Sequence, residues 1–307
     1  AQDLDTQLNA HYNLLNIEVE TAPADEHQNI KTQYEKLFET FGRNEPTLNI
    51  QIAYAHFLAF YLHQSEEASS FLKESLQIPL TPFKEANVKM EMGDILVLQE
   101  RFNQALIYYT QIQRNLKNST LSQLARFKVA KTSYYKGDFQ WAESQLKILK
   151  SSTSQLIAND ALDLKLMISD NKYDDSLQTA LKLYAKADLL AFQNKNDEAI
   201  VELAKIIEKH QGETIEDQAY FKQAQLFEQK KEYAKAVANY QYILTNYPED
   251  ILADDANFAL GELYAKKLNQ PELAKPFYEQ IIFNHPDSIY FVDAQKQFRR
   301  LRGDDIN

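Results

Sequence analysis

The side chains best suited to chemistry in this sequence are six histidines and several carboxylates, because both types can bind metals or transfer protons. His56 and His63 are seven residues apart, which places them near one face of a helix. No histidine lies four residues from another, however, and His63 falls where a turn is expected. Asp170, Asp174 and Asp175 lack the central glycine of a calcium loop. We therefore predict no metal site and interpret these residues as packed or solvated side chains.

Motifs of the common enzyme classes are missing from the sequence. It contains no glycine-rich phosphate loop and no His-Glu-x-x-His zinc motif, and it has only 6 glycines in 307 residues. Because there is no cysteine, thiolate catalysis, disulfides and Cys-ligated zinc are excluded. We predict that the protein is not an enzyme and needs no cofactor.

Two short motifs have simpler interpretations as helix ends. The Arg-Gly-Asp tripeptide at 302–304 spells an adhesion motif, but Gly303 is expected to stop a helix whose last turns carry cations that complement its dipole. Those cations are Lys296, Arg299, Arg300 and Arg302. Contact of the same cations with lipid or a polyanion is the alternative. The glycosylation sequon at 118–120 contains Ser119 and Thr120, one of which is needed to cap the next helix.

Charge and hydropathy restrict the class of partner. The chain has 33 basic and 44 acidic residues and a net charge of −11, which repels a nucleic-acid backbone. Its apolar runs, such as residues 52–62, are well short of the roughly 20 residues of a membrane span. The 6 glycines and 8 prolines provide too few turns for a large sheet. The composition predicts an all-α protein with no transmembrane segment and no nucleic-acid partner.

A repeat of 37 residues organises the chain. Alanines recur at this spacing, several of them three residues after an aromatic side chain, as in Phe102 and Ala105. The spacing is 37 residues from 68 to 105, from 105 to 142 and from 199 to 236, and it is 38 residues from 236 to 274. From Ala142 to Ala199 it is 57, which is 20 more than the period. The excess predicts one inserted helix.

A second small residue lies twelve positions before most of these alanines. The residues are Gly93, Ala130, Ala187, Ala224 and, with one residue inserted, Gly261; His56 is the exception. Small residues on both helices of a pair allow close packing of the two backbones. The pattern therefore predicts antiparallel helix pairs that stack into a solenoid.

This pattern resembles the tetratricopeptide repeat. Counted from Asp217, residues 217–250 carry the small, aromatic and proline residues of that repeat in its order. The matching residues are Ala224, Phe227, Ala236, Tyr240 and Pro248. The resemblance covers five to six units over residues 48–302 and implies a right-handed superhelical solenoid of antiparallel helix pairs.

The two ends of the chain and the insertion lie outside the regular units. Residues 1–47 are expected to form a degenerate helical pair, at 3–20 and 27–42, that caps the array. The inserted helix is expected near 154–169 and should be buried, because it is apolar nearly all round. A final helix should begin at Ser288 and end at Gly303, which leaves 303–307 as a short tail.

The last two units show a narrower resemblance. Asn-Tyr-Pro-Glu-Asp at 246–250 and Asn-His-Pro-Asp-Ser at 284–288 are each followed by Asp-Ala, a register similar to that of bacterial cell-envelope repeat proteins. These include the lipoproteins of outer-membrane protein assembly and the partners of the Tol-Pal system, and the end of the chain resembles repeat proteins of Bacteroidetes. We expect a periplasmic or outer-membrane-associated protein whose signal peptide has been removed, with a cytoplasmic location as the alternative.

In the family that the pattern resembles, the first helices of the pairs line a concave groove that receives a partner. Carried over position by position, the groove is largely aromatic, and aromatic residues are over-represented at binding hot spots. The residues are Phe57, Phe60, Tyr61, Met90, Asp94, Phe127, Lys131, Tyr134, Tyr135, Tyr184, Asp188, Phe192, Phe221, Gln225 and Glu228.

The resemblance therefore implies a non-enzymatic scaffold that binds a peptide or helix of another protein in this groove, within a bacterial envelope complex. The alternative is a helical accessory domain of a larger enzyme or secretion machine. No unit carries the Lys and Asn of the family's carboxylate clamp at its fifth and ninth positions. We expect an apolar segment with basic residues to bind better than an acidic tail, which Asp94 and Asp188 would repel.

Overall fold

The computed structural model describes residues 2–150, 152, 154–172 and 177–304, and the regular structure within these ranges is helical, with no strand. The predicted all-α fold of antiparallel helix pairs is confirmed. The α-helices are α1 (Gln2–Thr21), α2 (His27–Phe41), α3 (Leu48–Phe60), α4 (Ser65–Ser75), α5 (Pro82–Leu98), α6 (Phe102–Asn115), α7 (Thr120–Tyr135), α8 (Phe139–Leu149), α9 (Gln155–Asn171), α10 (Thr179–Phe192), α11 (Asn196–Lys209), α12 (Glu216–Gln229), α13 (Tyr233–Asn246), α14 (Ala253–Glu262), α15 (Pro271–Asn284) and α16 (Phe291–Arg302). Across the described ranges, no helix combines the length and the apolar character needed to cross a bilayer.

The chain forms two compact units, residues 1–169 and 170–307. In unit 1, α1 and α2 precede the pairs α3–α4, α5–α6 and α7–α8. In unit 2 the pairs are α10–α11, α12–α13 and α14–α15, and α16 packs on α15. Helices α1 and α2 both contact α3, so the expected N-terminal pair packs on the first regular pair of unit 1. Residues 305–307 of the expected tail lie outside the described part of the chain.

The alanines of the 37-residue repeat lie at the contact between the two helices of each pair. Ala68, Ala105, Ala142, Ala199, Ala236 and Ala274 are all fully buried. A methyl group at this place lets the backbones approach, and large buried rings one turn later fill the space beside it. Those rings are Tyr109, Tyr240 and Tyr278.

Each pair turns at a residue in the left-handed conformation, five residues before its alanine. The six residues and their φ angles are His63 (57°), Glu100 (59°), Gly137 (81°), Asn194 (58°), Lys231 (61°) and Asn269 (53°). At four of the six turns the helix ends in the same backbone pattern, in which the amide of Arg101, for example, donates to the Leu96 carbonyl over 2.8 Å; the amides of Gln64 and Gln270 donate six residues back, to Leu58 and Tyr264. The turn expected at His63 is thereby confirmed.

A π-helical turn explains the one interval of 38 residues. Leu263–Lys267 continues α14 as a π-helix, and the amide of Leu268 donates to the Leu263 carbonyl over 2.9 Å. A π-turn holds one residue more than an α-turn. The residue inserted between Gly261 and Ala274 is therefore absorbed locally, and Gly261 still faces the helix that carries Ala274.

Helix α9 occupies the place of the expected inserted helix, but its burial differs from the prediction. Ile157, Ala161 and Ile168 are buried, whereas Leu156 and Leu162 are 71% and 49% exposed. The expectation of burial on every side is therefore wrong. The buried residues recur at helical spacing along one face, so α9 packs through that face alone.

The remaining helix-end predictions are largely confirmed. The Ser119 hydroxyl accepts a hydrogen bond from the Ser122 amide at the start of α7, and Gly303 ends α16 in the left-handed conformation. Arg302 of the adhesion-like tripeptide donates to Asp304 over 2.9 Å, which pairs its two charges with each other. Helix α16 begins at Phe291 and not at Ser288, whose hydroxyl accepts from the Tyr290 amide and so forms a turn before the helix.

Candidate functional site

Five of the predicted groove residues are buried. They are Phe57, Phe60, Met90, Tyr134 and Tyr184. The Phe57 ring contacts that of Tyr34 at 5.8 Å between centroids, and the Tyr134 ring contacts that of Phe139 at the same separation. Aromatic residues at these positions fill the space between neighbouring helices, so the rings of Phe57, Tyr134 and their counterparts belong to the core and not to a binding surface.

Other predicted groove residues are at least partly exposed. They are Tyr61, Asp94, Phe127, Lys131, Tyr135, Asp188, Phe192, Phe221, Gln225 and Glu228. They come together only in small local groups. The ammonium of Lys131 lies 5.9 Å from the centroid of the Tyr135 ring, whereas the Phe221 ring contacts Tyr240, a buried residue outside the predicted set, at 5.4 Å.

The predicted acidic groove residues are already paired within the protein. Asp94 accepts from the ammonium of Lys128 over 2.8 Å, and Asp188 forms the equivalent ion pair with Lys222 over 2.7 Å. In both cases the lysine lies 34 residues later, on the first helix of a following pair. Because each carboxylate has its own cation, neither presents a net negative charge to a ligand, and the repulsion expected from Asp94 and Asp188 is largely cancelled.

A cleft of about 480 Å³ opens in unit 1 between the first helices of the pairs. Helices α3, α5 and α7 form its floor, and α1 forms one wall. The apolar part of the lining consists of Val19, Ile52, Ala53, Met90, Leu121 and Leu124. The polar part consists of Tyr12, Asn16, Glu20, Tyr34, Asn49, His56, Asn87 and Glu91. We call it the α3–α5 cleft; Met90 is the one predicted groove residue in its lining.

Three asparagines of the α3–α5 cleft carry free carboxamides. Within the described ranges, the side chains of Asn16, Asn49 and Asn87 have no hydrogen-bond partner. A carboxamide offers one acceptor oxygen and two donor hydrogens, the same groups that a peptide backbone exposes. Three of them above an apolar floor can hold an extended peptide by its backbone while its side chains cover the floor.

The Tyr34 hydroxyl adds a buried polar group to the same cleft. Tyr34 is 1% exposed, and among the described residues its hydroxyl has no hydrogen-bond partner. Burial raises the pKa of Tyr34 well above its usual range, and the nearby Tyr12 and Glu18 add to the effect, so the group remains a neutral donor. A buried hydroxyl without a partner costs about 1–3 kcal/mol. A ligand that reached it would remove that cost.

His56 and Glu91 form the charged centre of the cleft. The His56 Nδ1 lies 2.9 Å from a Glu91 carboxylate oxygen, and its ring stacks on Phe60 at 4.3 Å. Burial opposes the charged form of His56, but the hydrogen bond with Glu91 and the charges of Glu91 and Asp94 outweigh it, so the pKa of His56 is raised. The Glu91 carboxylate is thus bonded to His56, and Glu20 is the carboxylate of the lining that has no hydrogen bond or ion pair within the described ranges.

The structure offers no grouping suited to a metal within its described part, where no three His, Asp or Glu side chains converge. His56 and His63 do not meet, because His56 bonds Glu91 and His63 lies at an exposed turn. Asp174 and Asp175 of the acidic segment lie outside the described residues.

The sequence interpretation missed the asparagines and Tyr34. Asn49 and Asn87 lie in the N-terminal halves of successive first helices, 38 residues apart, and this repeated polar residue is the pattern that could have indicated them. Asn16 and Tyr34 belong to α1 and α2, which were interpreted as a cap alone. The N-terminal pair in fact supplies one wall of the cleft.

Comparison with known proteins identifies the repeat class for part of the chain. The family model for the tetratricopeptide repeat matches residues 218–250 and 255–288, so these two units are tetratricopeptide repeats. The assignment agrees with the residues from Ala224 to Pro248 that carried the resemblance. No curated protein sequence matches the chain.

Among solved structures, the apo form of RapI is 17% identical, covers 97% of this chain and 81% of its own, and has a TM-score of 0.38. YrrB, described as a tetratricopeptide repeat protein with an unusual peptide-binding site, is 16% identical over 73% of this chain and 97% of its own, with a TM-score of 0.33. A Rap protein complexed with competence and sporulation factor is 18% identical over 97% of both chains, also at 0.33. The class assignment rests on the two matched repeats.

Proposed function

We propose that this protein is a non-enzymatic scaffold that holds an extended peptide of a partner protein in the α3–α5 cleft. One observation carries the proposal: three unpaired carboxamides and one buried, unpaired hydroxyl converge on an apolar floor. Buried polar groups are ordinarily paired, so the unpaired Tyr34 hydroxyl indicates a ligand, and the solvent-accessible carboxamides beside it can supply donors and acceptors to a peptide backbone. The tetratricopeptide repeats in unit 2 support an interaction scaffold.

The lining also indicates the chemistry of the peptide. Its floor is apolar, the Glu91 carboxylate is bonded to His56, and Glu20 is the carboxylate of the lining without a partner among the described residues. A peptide with apolar side chains and a basic residue placed near Glu20 is complementary to this lining. An acidic tail finds no unpaired cation among the lining residues.

The proposal is tested by selecting peptides from a random display library against the full chain and measuring their affinity by fluorescence anisotropy. In the double variant Asn49→Ala and Asn87→Ala, we expect at least tenfold weaker binding of the selected peptide, because two backbone-pairing amides are lost. A matched double variant, Asn13→Ala and Asn115→Ala, changes two exposed asparagines outside the cleft and should bind normally. Equal affinity of the two double variants would overturn the proposal.

We propose further that the scaffold acts in a bacterial envelope complex, at the periplasmic or outer-membrane side. The support is the register of the segments at 246–250 and 284–288, which is similar to that of envelope repeat proteins. Fractionation of the native host with an antibody to the chain tests this location. Recovery in the cytoplasmic fraction alone would refute it without affecting the proposal for the cleft.

A further inference from the structure

A second cleft lies in unit 2, away from the residues considered so far. It has a volume of about 470 Å³ and lies between the second helices α13 and α15, above α14. Leu244, Pro248, Pro276 and Phe277 give it an apolar lining. Its polar groups include Glu249 and Asn257. We call it the α13–α15 cleft.

Asn257 carries an unsatisfied acceptor in this cleft. The residue is 4% exposed, and its Nδ2 donates to the Ala253 carbonyl over 2.9 Å. That bond fixes the orientation of the carboxamide, since the reversed amide would place two oxygens against each other. The Oδ1 is consequently the free atom, and it has no hydrogen-bond partner among the described residues. A buried acceptor in the wall of an open cleft is suited to a donor supplied from outside.

The charge around the cleft favours a cationic donor. Glu249 is exposed and forms no ion pair within the described part of the chain. Residues 170–307 contain 24 acidic against 17 basic side chains, so the field of unit 2 is negative as a whole. A neutral donor would satisfy Asn257 alone, whereas a cation satisfies Asn257 and Glu249 together.

The corresponding cleft of unit 1 has the opposite lining. Gln113 and Lys117 stand eight and twelve residues after Ala105, as Leu244 and Pro248 stand after Ala236. Gln113 and Lys117 line a cleft of about 320 Å³ that also contains Arg126. The cleft at this position of the repeat is therefore basic in unit 1, whereas in unit 2 it is acidic and apolar. The charge of the cleft is set by its side chains and not by the stacking of the helices alone.

We infer that the α13–α15 cleft binds the side chain of a lysine or arginine from a partner protein. A hydrogen of the cation donates to Asn257 Oδ1, the charge lies beside Glu249, and the aliphatic stem packs on Leu244, Pro248 and Pro276. This site is separate from the α3–α5 cleft and independent of the function proposed there. A chain with both sites joins two partner segments.

The test uses n-butylguanidinium as a probe of the arginine side chain and follows the backbone amides of the full-length, nitrogen-15-labelled chain by NMR titration. We expect shifts confined to residues that line the cleft, such as Leu244 and Gln280. The uncharged analogue n-butylurea, which keeps the stem and the N–H donors on two nitrogens and has a carbonyl oxygen in place of the third, should bind about tenfold more weakly because it lacks the charge. Shifts of equal affinity with both probes would show that charge plays no part and would overturn the inference.

Two variants locate the contact. Asn257→Leu keeps the size of the side chain and removes the acceptor, and it should weaken n-butylguanidinium binding about tenfold. Glu249→Gln changes an exposed residue that forms no hydrogen bond or ion pair with the described residues, so it should leave the fold intact and weaken binding several-fold. Arg126→Gln in the corresponding cleft of unit 1 is the control and should leave the affinity unchanged. Undiminished affinity in Glu249→Gln overturns the inference even if Asn257→Leu fails to fold.

Discussion

Gly93 of α5 lies directly against the ring of Tyr109 of α6, so that a β-carbon added to Gly93 would stand 2.3 Å from Tyr109 Cε1. Gly261 and Tyr278 repeat this relationship in α14 and α15, where the added carbon would stand 2.6 Å from Cε1. Contacts this short do not occur between carbon atoms. The ring therefore occupies the space of the missing side chain, and the small residue that marks the repeat is a packing requirement.

Gly93→Ala is expected to destabilise the protein by about 1–3 kcal/mol, since Tyr109 must move away from the added methyl group within a packed core. Chemical denaturation measures the effect. Tyr109→Leu in the same chain should relieve it, because leucine lacks the ring that occupies the space beside residue 93. If the loss of unfolding free energy in the double variant equals the sum of the losses in the two single variants, the Gly93–Tyr109 contact is not the cause of the destabilisation.

The helix pairs could be predicted because their packing requires small residues, and small residues at a fixed interval are visible in a sequence. The backbone conformation of the turns could not be predicted in this way. All six turns use a left-handed residue, yet Gly137 is the only glycine among them, and Glu100 or Lys231 gives no sign of a positive φ. Residues other than glycine adopt this conformation at a cost of about 1 kcal/mol, which the packed helices on either side offset.

Lys231→Gly should therefore stabilise the protein by about 0.5–1 kcal/mol, because glycine adopts the left-handed conformation without the clash of a β-carbon. The denaturation midpoint should rise. Gln241→Gly, on the exposed side of α13, introduces the same residue at helical backbone angles and should instead lower stability by about 1 kcal/mol. A destabilised Lys231→Gly would show that the lysine side chain stabilises the turn more than its backbone strains it.

Which of the predicted groove residues are exposed was harder to predict than the fold, for a related reason. A regular repeat places aromatic rings both in the core and on the surface, and the type of residue does not distinguish the two, as Phe57 and Tyr61 show. The α3–α5 cleft depends on α1, which lies outside the repeat and whose Asn16 follows no period. Only the packing of α1 on α3 brings Asn16 to the cleft.

Unit 2 contains a carboxyl group that should make its stability depend on pH. Asp217 is buried at the start of α12, and burial together with the adjacent Asp250 raises its pKa from 3.8 to about 6, against the hydrogen bond from the Gln218 amide. The folded chain binds this proton more tightly than the unfolded chain. The stabilisation is therefore complete below pH 3.8 and is lost as the pH rises through about 6.

We expect the stability of the natural chain to fall relative to that of Asp217→Asn by up to about 3 kcal/mol between pH 4 and pH 7.5, because asparagine does not titrate. Urea denaturation across this range gives the two curves. The control Asp287→Asn changes an exposed carboxylate, and its curve of unfolding free energy against pH should run parallel to that of the natural chain. Parallel curves for Asp217→Asn as well would mean that Asp217 is solvated in the folded protein.

The substitution Tyr34→Phe can distinguish a role of the hydroxyl in binding from a role in stability. Its buried hydroxyl has no partner among the described residues, so Tyr34→Phe should leave the free energy of unfolding unchanged or raise it by about 1 kcal/mol. The same substitution at Tyr240 should lower it by about 1–3 kcal/mol, because the Tyr240 hydroxyl donates to Glu228 over 2.6 Å.

For peptide binding we expect the opposite, with a larger effect of Tyr34→Phe than of Tyr240→Phe. A peptide selected for the α3–α5 cleft should bind Tyr34→Phe several-fold more weakly, because the only group removed is the donor that the peptide would pair. Tyr240 lies in unit 2 and does not line the cleft, so its phenylalanine variant should bind normally while folded. Anisotropy titrations at a temperature well below both melting transitions make the comparison. A Tyr34→Phe variant that is more stable and binds the peptide as tightly as the natural chain would remove this hydroxyl from the proposed site.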